Sequence, residues 1–285
     1  MPTEINALVA DARRRFRAAG IAQDEAALDA RLLAQHLLGW DAARLMTHGD
    51  ERASAQFQQD FEGLVARRVS REPLAYITGS REFWNLTIEV TPAVLIPRPE
   101  TELLLESALE HFERSQAIRI LDVCTGSGCV AVGLAREFAK AAVTASDISP
   151  EALEGARRNL ARHGLTTRIR CVETDLLTGI PGPFDLVVAN PPYVPAGDAR
   201  GLQPEVRQFE PAGALFAGED GLQIIRRLVR EAATALAPDG ILIFEFGAGQ
   251  EDGIEALLEA VPSLALLEVK HDLQDIPRAA VAQKR

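Results

Sequence analysis

The spacing of apolar and polar positions changes twice along the chain. In the first seventy residues Ile5, Leu8, Val9, Ala12 and Phe16 recur at the helical period, with Gly20 as a stop. Asp24 can cap a second helix whose inward face carries Leu28, Leu32 and Leu37 and which ends near Gly39. A third helix runs from about Ser54 to Ser70 with Phe57, Phe61, Leu64 and Val65 inward. Arg67, Arg68 and Arg71 crowd its end, where cations complement the helix dipole; a docking patch for a partner is the alternative reading. Three short amphipathic helices predict a small bundle over residues 1–72, of the kind used for recognition.

From Pro73 the pattern turns aromatic and β-branched. Tyr76-Ile77 and the run from Phe83 to Val90, with Gly79-Ser80 as a turn, predict a hairpin linking two domains over residues 73–92. A proline-stiffened stretch, Leu95 to Glu102, then enters a helix through Leu103, Leu104 and Leu105, with Pro99 at its start. Beyond it strand and helix alternate. Strands are predicted at Ile118 to Val123, Ala142 to Ser146, Arg168 to Val172, Phe184 to Ala189 and Ile241 to Phe246. Helices are predicted at Cys129 to Phe138 and Pro150 to His163, closed by Gly164. Strands separated by helices mean a parallel sheet with crossovers, so residues 93–285 read as a doubly wound α/β domain.

One of those strands ends in unusual chemistry. The buried run Phe184 to Ala189 leads into Asn190-Pro191-Pro192-Tyr193. Two prolines forbid both a continuing ladder and a helix, and Pro191 pushes Asn190 into an extended conformation. The result is a stiff polar turn at the carboxyl end of a strand, where open α/β sheets place their ligands. Asn190 offers an amide oxygen, the Asn190 and Pro191 carbonyls have no competing proline N–H, and Tyr193 adds a flat apolar face. Together they suit a planar NH2 group.

The first strand runs into Asp122-Val123-Cys124-Thr125-Gly126-Ser127-Gly128 and then a helix. Glycines let the backbone approach a ligand, and the helix start points free N–H groups at it. The spacing is not the dinucleotide fingerprint. Asp147 ends the second strand, where an acid accepts hydrogen bonds from ribose hydroxyls. Asp175, past the third strand, could accept from an adenine amine, and Leu176 could pack on the ring.

Composition narrows the partners. Apolar residues make up 47% and charged residues 25% of 285, ordinary for a globular protein. The net charge of −11 argues against binding through nucleic-acid phosphates, which needs a basic footprint. No apolar run approaches the ~18 residues of a membrane span, and the start lacks a signal-peptide core. Three cysteines (Cys124, Cys129, Cys171) form no Cys-x-x-Cys pair, so neither a disulfide framework nor a zinc site is expected, and the expected setting is cytoplasmic.

The order of strand, Asp-x-x-x-Gly-x-Gly, strand-ending acid, Asp-Leu and Asn-Pro-Pro-Tyr resembles the class I S-adenosylmethionine-dependent methyltransferases that act on planar NH2 groups. Three blocks sharpen the match: Arg71 to Gly79, Ile96-Pro97-Arg98-Pro99-Glu100-Thr101-Glu102, and Ala217-Gly218-Glu219-Asp220-Gly221-Leu222. With these the chain is similar to the peptide chain release factor glutamine methyltransferases of HemK type, from about Arg67 to near its end. The resemblance implies a Rossmann-like methyltransferase sheet and methyl transfer from S-adenosyl-L-methionine to the side-chain amide of the glutamine in a Gly-Gly-Gln loop of translation release factors. It puts the cofactor loop on Cys124, Thr125, Gly126, Ser127 and Gly128 after Asp122, the ribose acid on Asp147, adenine contacts on Asp175 and Leu176, and the substrate clamp on Asn190, Pro191, Pro192 and Tyr193. With the charge and hydropathy above, the expectation is a monomer with no direct nucleic-acid or membrane partner. A ribosomal-protein glutamine, or an adenine or cytosine amino group in nucleic acid, are the alternative acceptors. The family usually has glycine where this chain has Cys124. The expectation is an ordinary backbone there, with the thiol lining the loop.

Overall fold

In the computed structural model, which describes residues 3–285, the helical pattern of the first seventy residues becomes α1 (Ile5–Ala18), α2 (Gln23–Leu38), α3 (Ala42–His48) and α4 (Ala55–Val69), followed by a single turn, α5 (Leu74–Thr78). Phe16, Leu33, Phe57, Phe61 and Val65 form the core of this helical unit. Ser54 caps α4 by accepting the Phe57 N–H, as its position before the apolar run predicts. Two expectations fail on α2. The helix begins at Gln23 with Ala22 as its uncapped N-cap, so Asp24 lies inside the first turn. Its buried face is Ala26, Asp29, Ala30, Leu33 and Ala34, while Leu28 is 47% exposed.

Asp29 is inward because of Arg68, which is 1% exposed. Its Nε donates to Asp29 at 2.7 Å and its Nη1 to Glu205 at 2.9 Å. Arg71 joins the cluster, donating to the other Glu205 oxygen at 2.5 Å. Burial raises the Asp29 carboxyl in spite of Arg68. At Glu205 burial also raises it, but bonds from Arg71 and Arg68 outweigh that and hold it below its usual value. Arg68 is therefore neither a solvent-facing dipole partner nor a docking patch; it is the hub of a buried ion cluster. Glu205 comes from far along the chain: residues 203–209 pack with the residues up to Gly79, and the other unit is Ser80–Leu202 with Glu210–Arg285.

The hairpin is shorter and later than expected. Tyr76-Ile77 is helical, and the strands are β1 (Ser80–Phe83) and β2 (Leu86–Glu89), joined at Trp84-Asn85. Both turn residues have positive φ, the signature of a two-residue hairpin whose twist matches its strands. Trp84 is held there by Glu102, which accepts its N–H, and Glu137, which accepts its indole N–H, each at 2.7 Å.

The second unit continues with α6 (Glu102–His111), β3 (Arg119–Val123), α7 (Cys129–Glu137), β4 (Ala142–Asp147), α8 (Pro150–Arg162), β5 (Ile169–Glu173) and β6 (Phe184–Ala189). After α9 (Pro204–Phe209), which belongs to the helical unit, come α10 (Gln223–Ala235), β7 (Leu236–Glu245), α11 (Glu251–Glu259), β8 (Leu264–His271) and β9 (Pro277–Lys284). The sheet order is β5-β4-β3-β6-β7-β9-β8. The first five of these strands are parallel, and β9 runs antiparallel to both neighbours. Apolar runs such as Leu186 to Ala189 are buried on both faces, the pattern of a covered parallel sheet. One face packs Leu121, Val187, Leu242 and Phe244 against Ile225, Leu228 and Val229 of α10 and Ile254 of α11. No helix among the described residues is long and apolar enough to cross a membrane.

Candidate active site

Because β4, β3, β6 and β7 are parallel neighbours, their carboxyl ends share one edge. That edge carries Asp147, the Cys124–Gly128 loop, Asn190 and Glu245. The crossovers run outward in opposite directions from β3 and β6, so the edge contains the point where strand order reverses, the usual ligand position in such sheets. A cavity of about 290 Å³ opens there. Asp122, Cys124, Thr125, Gly126, Ser127, Asp147, Asn190 and Pro192 line it, with Thr101, the Ala93–Pro97 segment and Pro211 to Ala214 closing its sides.

The glycine turn is held by buried acceptors. Asp122 is 1% exposed and its Oδ2 accepts the Thr125 hydroxyl at 2.5 Å and the Ala131 N–H at 3.1 Å. Burial pushes its carboxyl up to about 7 even though these bonds favour the charged form. Asp147 accepts the Gly126 N–H on one oxygen and the Ser149 N–H on the other, both at 2.9 Å. Asn159 of α8 donates to the Ser127 and Glu89 carbonyls at 2.9 Å each and accepts the Glu89 N–H at 2.7 Å, so every bond of a fully buried amide is used to tie loop to hairpin.

Cys124 has φ +58°, contrary to the expectation of an ordinary backbone. The loop does need the left-handed conformation there, and a side chain in it costs on the order of 1 kcal/mol. Burial, then the charges of Asp147, Asp122 and Asp175, push the thiol well above its usual range, so it is un-ionised and a poor nucleophile.

Asn190 sits in a chain of hydroxyls and a carboxylate. Its Nδ2 donates to Thr101 Oγ1 at 3.0 Å, Thr101 Oγ1 donates to Glu245 Oε2 at 2.7 Å, and Tyr193 Oη donates to Glu245 Oε1 at 2.9 Å. Thr101 and Glu245 are each 2% exposed. Glu245, at the end of an apolar strand, was not among the residues singled out by sequence. Its signal is a single acid closing the buried run Ile241 to Phe244, which alone looks like any strand-end carboxylate.

The sequence-predicted site residues divide. Pro191, Gly128 and Tyr193 do not line the cavity; Tyr193 packs against the sheet core and anchors its turn through Glu245. Asp175 is turned to Arg227, an ion pair at 2.9 Å, and Leu176 is 5% exposed within the core, so neither bounds the cavity. Ile148, not singled out, lines the cavity with its side chain 68% exposed. The Ala217 to Leu222 block backs the turn: Ala217 N–H donates to the Val194 carbonyl, Val194 N–H to Leu215, and Ala196 N–H to Gly218. Gly221, at φ +73°, lies so close that a Cβ would overlap the Tyr193 carbonyl oxygen. The buried Glu210 accepts the Ile96 N–H at 3.2 Å and pairs with Arg98 at 2.5 Å, tying together the two chain segments that flank it in the cavity lining, Ala93–Pro97 and Pro211–Ala214.

Known proteins share this organisation. A family model described as the PrmC N-terminal domain matches residues 7–79, and one described as the methyltransferase small domain matches residues 100–205. The release factor glutamine methyltransferase of Bradyrhizobium diazoefficiens is 42% identical over 280 residues, covering 95% of this chain and 91% of that protein. This chain belongs to the release factor glutamine methyltransferase family. The family member from Deinococcus radiodurans is 40% identical, with 99% of each chain covered. Solved structures outside this family share the fold. The hMettl16 catalytic domain, solved with a MAT2A 3′UTR hairpin, has a TM-score of 0.58 at 18% identity over 78% of this chain and 81% of its own. The Thermus thermophilus 16S rRNA methyltransferase RsmC, solved with AdoMet and guanosine, has a TM-score of 0.51 at 21% identity over 72% of this chain and 50% of its own. This chain thus shares the methyltransferase fold of these proteins, with the helical unit preceding it in sequence.

Proposed function

We propose that this enzyme transfers a methyl group from S-adenosyl-L-methionine to the side-chain amide nitrogen of the glutamine in the Gly-Gly-Gln loop of translation release factors. The observation that carries this reading is the orientation of Asn190: its NH2 is committed to Thr101, which leaves its amide oxygen as an acceptor beside the cavity. A planar NH2 is the complementary group. The names of the relatives supply the substrate class.

The cavity residues fit the methyl donor. Each Asp147 oxygen accepts one backbone N–H and keeps a lone pair for a ribose hydroxyl. Ile148 presents an apolar plate for a base, and a Cβ at Gly126 would meet nothing within 4 Å, so there is room over the loop. Bound there, S-adenosyl-L-methionine supplies an electrophilic methyl group. The protein's own task is alignment and electrostatics. An amide nitrogen is a weak nucleophile because its lone pair is shared with the carbonyl, and positive charge builds on its hydrogens as that sharing is lost. Asn190 Oδ1 binds that charge more strongly than the ground state, which lowers the barrier; the Pro191 carbonyl, the next acceptor along the turn though not part of the cavity lining, is the second partner that the family resemblance implies. Water takes the proton once the nitrogen is methylated, so no strong base is needed.

We assign grip on the body of the factor to the helical unit, supported by its exposed Met46 and Leu28, 84% and 47% accessible. A cytoplasmic setting is supported by three unpaired cysteines. The test is methyl transfer from labelled S-adenosyl-L-methionine to a purified release factor and to its Gln→Ala loop variant. Label on the first alone supports the reading. Label on both, or on ribosomal protein or RNA in place of the factor, overturns it.

A further inference from the structure

The amide of an asparagine is nearly symmetric in shape, so packing does not decide whether its oxygen or its NH2 faces a ligand; hydrogen-bond partners do. At Asn190 the decision can be followed proton by proton. Glu245 as a carboxylate can only accept. One oxygen takes the Tyr193 proton and the other takes the Thr101 proton. With its single proton spent on Glu245, Thr101 Oγ1 has only lone pairs left for Asn190. Only the Asn190 NH2 can face them, and it does, at 3.0 Å. The reversed amide would set two oxygens against each other in a spot where Thr101 is 2% exposed, with no water to separate them. Nothing else among the described hydrogen bonds of the Asn190 side chain opposes this choice.

We infer that Glu245 and Thr101 are positioning residues that set the polarity of the Asn190 amide, turning its oxygen to the acceptor and thereby selecting an NH2-bearing side chain over a carboxylate. This rests on the glutamine reading above. It also gives the Thr of the Pro-Arg-Pro-Glu-Thr-Glu block a task that neither capping nor helix propensity explains, since the Thr101 side chain makes no helix cap. Glu245 does not touch the acceptor; it acts through Thr101, and Tyr193 completes the pair of donors that saturates it.

The test uses the full chain with Thr101→Val, Thr101→Ser and Glu245→Gln. Thr101→Val keeps the shape and removes the lone pairs. In Glu245→Gln the side chain offers an NH2 as well as an oxygen, so the Thr101 proton is no longer committed. The direct readout is the side-chain NH2 signal pair of Asn190 in ¹⁵N-labelled protein without acceptor, identified by its loss in Asn190→Asp. The wild type and Thr101→Ser are expected to show one slowly exchanging, downfield proton, and Thr101→Val to lose it. With a release factor as acceptor, kcat of Thr101→Val and Glu245→Gln is expected to fall at least tenfold. Their S-adenosyl-L-methionine Kd should stay within threefold, and Thr101→Ser should recover most of the turnover. Unchanged Asn190 signals in Thr101→Val, or unchanged kcat per folded molecule, overturn the inference. A wild type that leaves the release factor unlabelled fails the substrate reading instead, and the NH2 signals still decide the polarity of the amide.

Discussion

A Cβ built on Gly128 would stand 3.1 Å from the Cβ of Ala156, the point where the turn after β3 meets α8. Gly128 also has φ +79°. The residue is thus required twice, by the backbone and by the neighbouring helix. Gly128→Ala is expected to cost about 2 kcal/mol, roughly half from the left-handed backbone and the rest from the contact. The double variant with Ala156→Gly removes the nearer contact but leaves the Ala156 Cα at 3.3 Å, so it should recover part of the contact share, giving a coupling of about 0.5 kcal/mol in urea denaturation. Additive costs would mean that the helix yields freely and the backbone alone matters.

Asp122 stabilises the same turn at a cost that depends on pH. Its folded carboxyl is raised by burial to about 7, so the folded state holds the proton more tightly than the unfolded chain. Its stability contribution is full below the unfolded value and is lost as pH rises through about 7. Asp122→Asn can keep both bonds, because the Thr125 hydroxyl and the Ala131 N–H share one oxygen. The variant is expected to gain on the wild type as pH rises, by roughly 3 kcal/mol between pH 5 and pH 8, with the two matching only below the unfolded carboxyl's pKa. Parallel melting curves from pH 5 to 8 would contradict this.

What the sequence made legible was local. The run Phe184 to Ala189 with its prolines, the glycine turn and Asp147 could be placed because strand period and turn chemistry lie within a few residues. The failures were long-range. Asp29 is inward only because Arg68 meets it from α4, 39 residues on. Residues 203–209 pack with the helical unit because Glu205 reaches the same arginine, 137 residues away. β9 turns antiparallel and inserts between β7 and β8 after a strictly alternating series, which the alternation itself could not announce. At the site, Glu245 was missed because its meaning depends on two hydroxyls from Thr101 and Tyr193. Asp175, expected to accept from an adenine amine, forms a half-exposed ion pair with Arg227 outside the cavity lining.

The Arg68 cluster should behave as a buried charge hub. Removing one partner leaves the others uncompensated, which typically costs about 3–5 kcal/mol. Arg68→Met is expected to destabilise by that amount, since Asp29 is 4% exposed and has no other arginine bond described, whereas Glu205 keeps Arg71. Adding Asp29→Leu should restore part of the loss by removing the stranded carboxylate. The check is urea unfolding of the three proteins. A single variant within 1 kcal/mol of wild type would show that water reaches the cluster.

Turnover and stability should respond to Glu245 with opposite signs. Burial raises its carboxyl to about 6, against the bonds from Thr101 and Tyr193; Glu100 pushes it further up and Arg278 draws it down. The Cys129 thiol on α7 also feels its charge but stays protonated. Below about pH 6 the protonated carboxyl can itself donate, the Thr101 proton is released, and the Asn190 amide loses its enforced polarity. kcat should therefore fall about tenfold per pH unit below 6, where the ionised fraction falls in that proportion. Stability from this group runs the other way: the raised value means that it is fully present below the unfolded pKa and lost as pH rises through about 6. Glu245→Gln should remove both dependences, with a low and flat kcat and a gentler fall of Tm between pH 5 and 7. A limb that persists near pH 6 in this variant would assign the titration to another group, with Asp122 the next to replace.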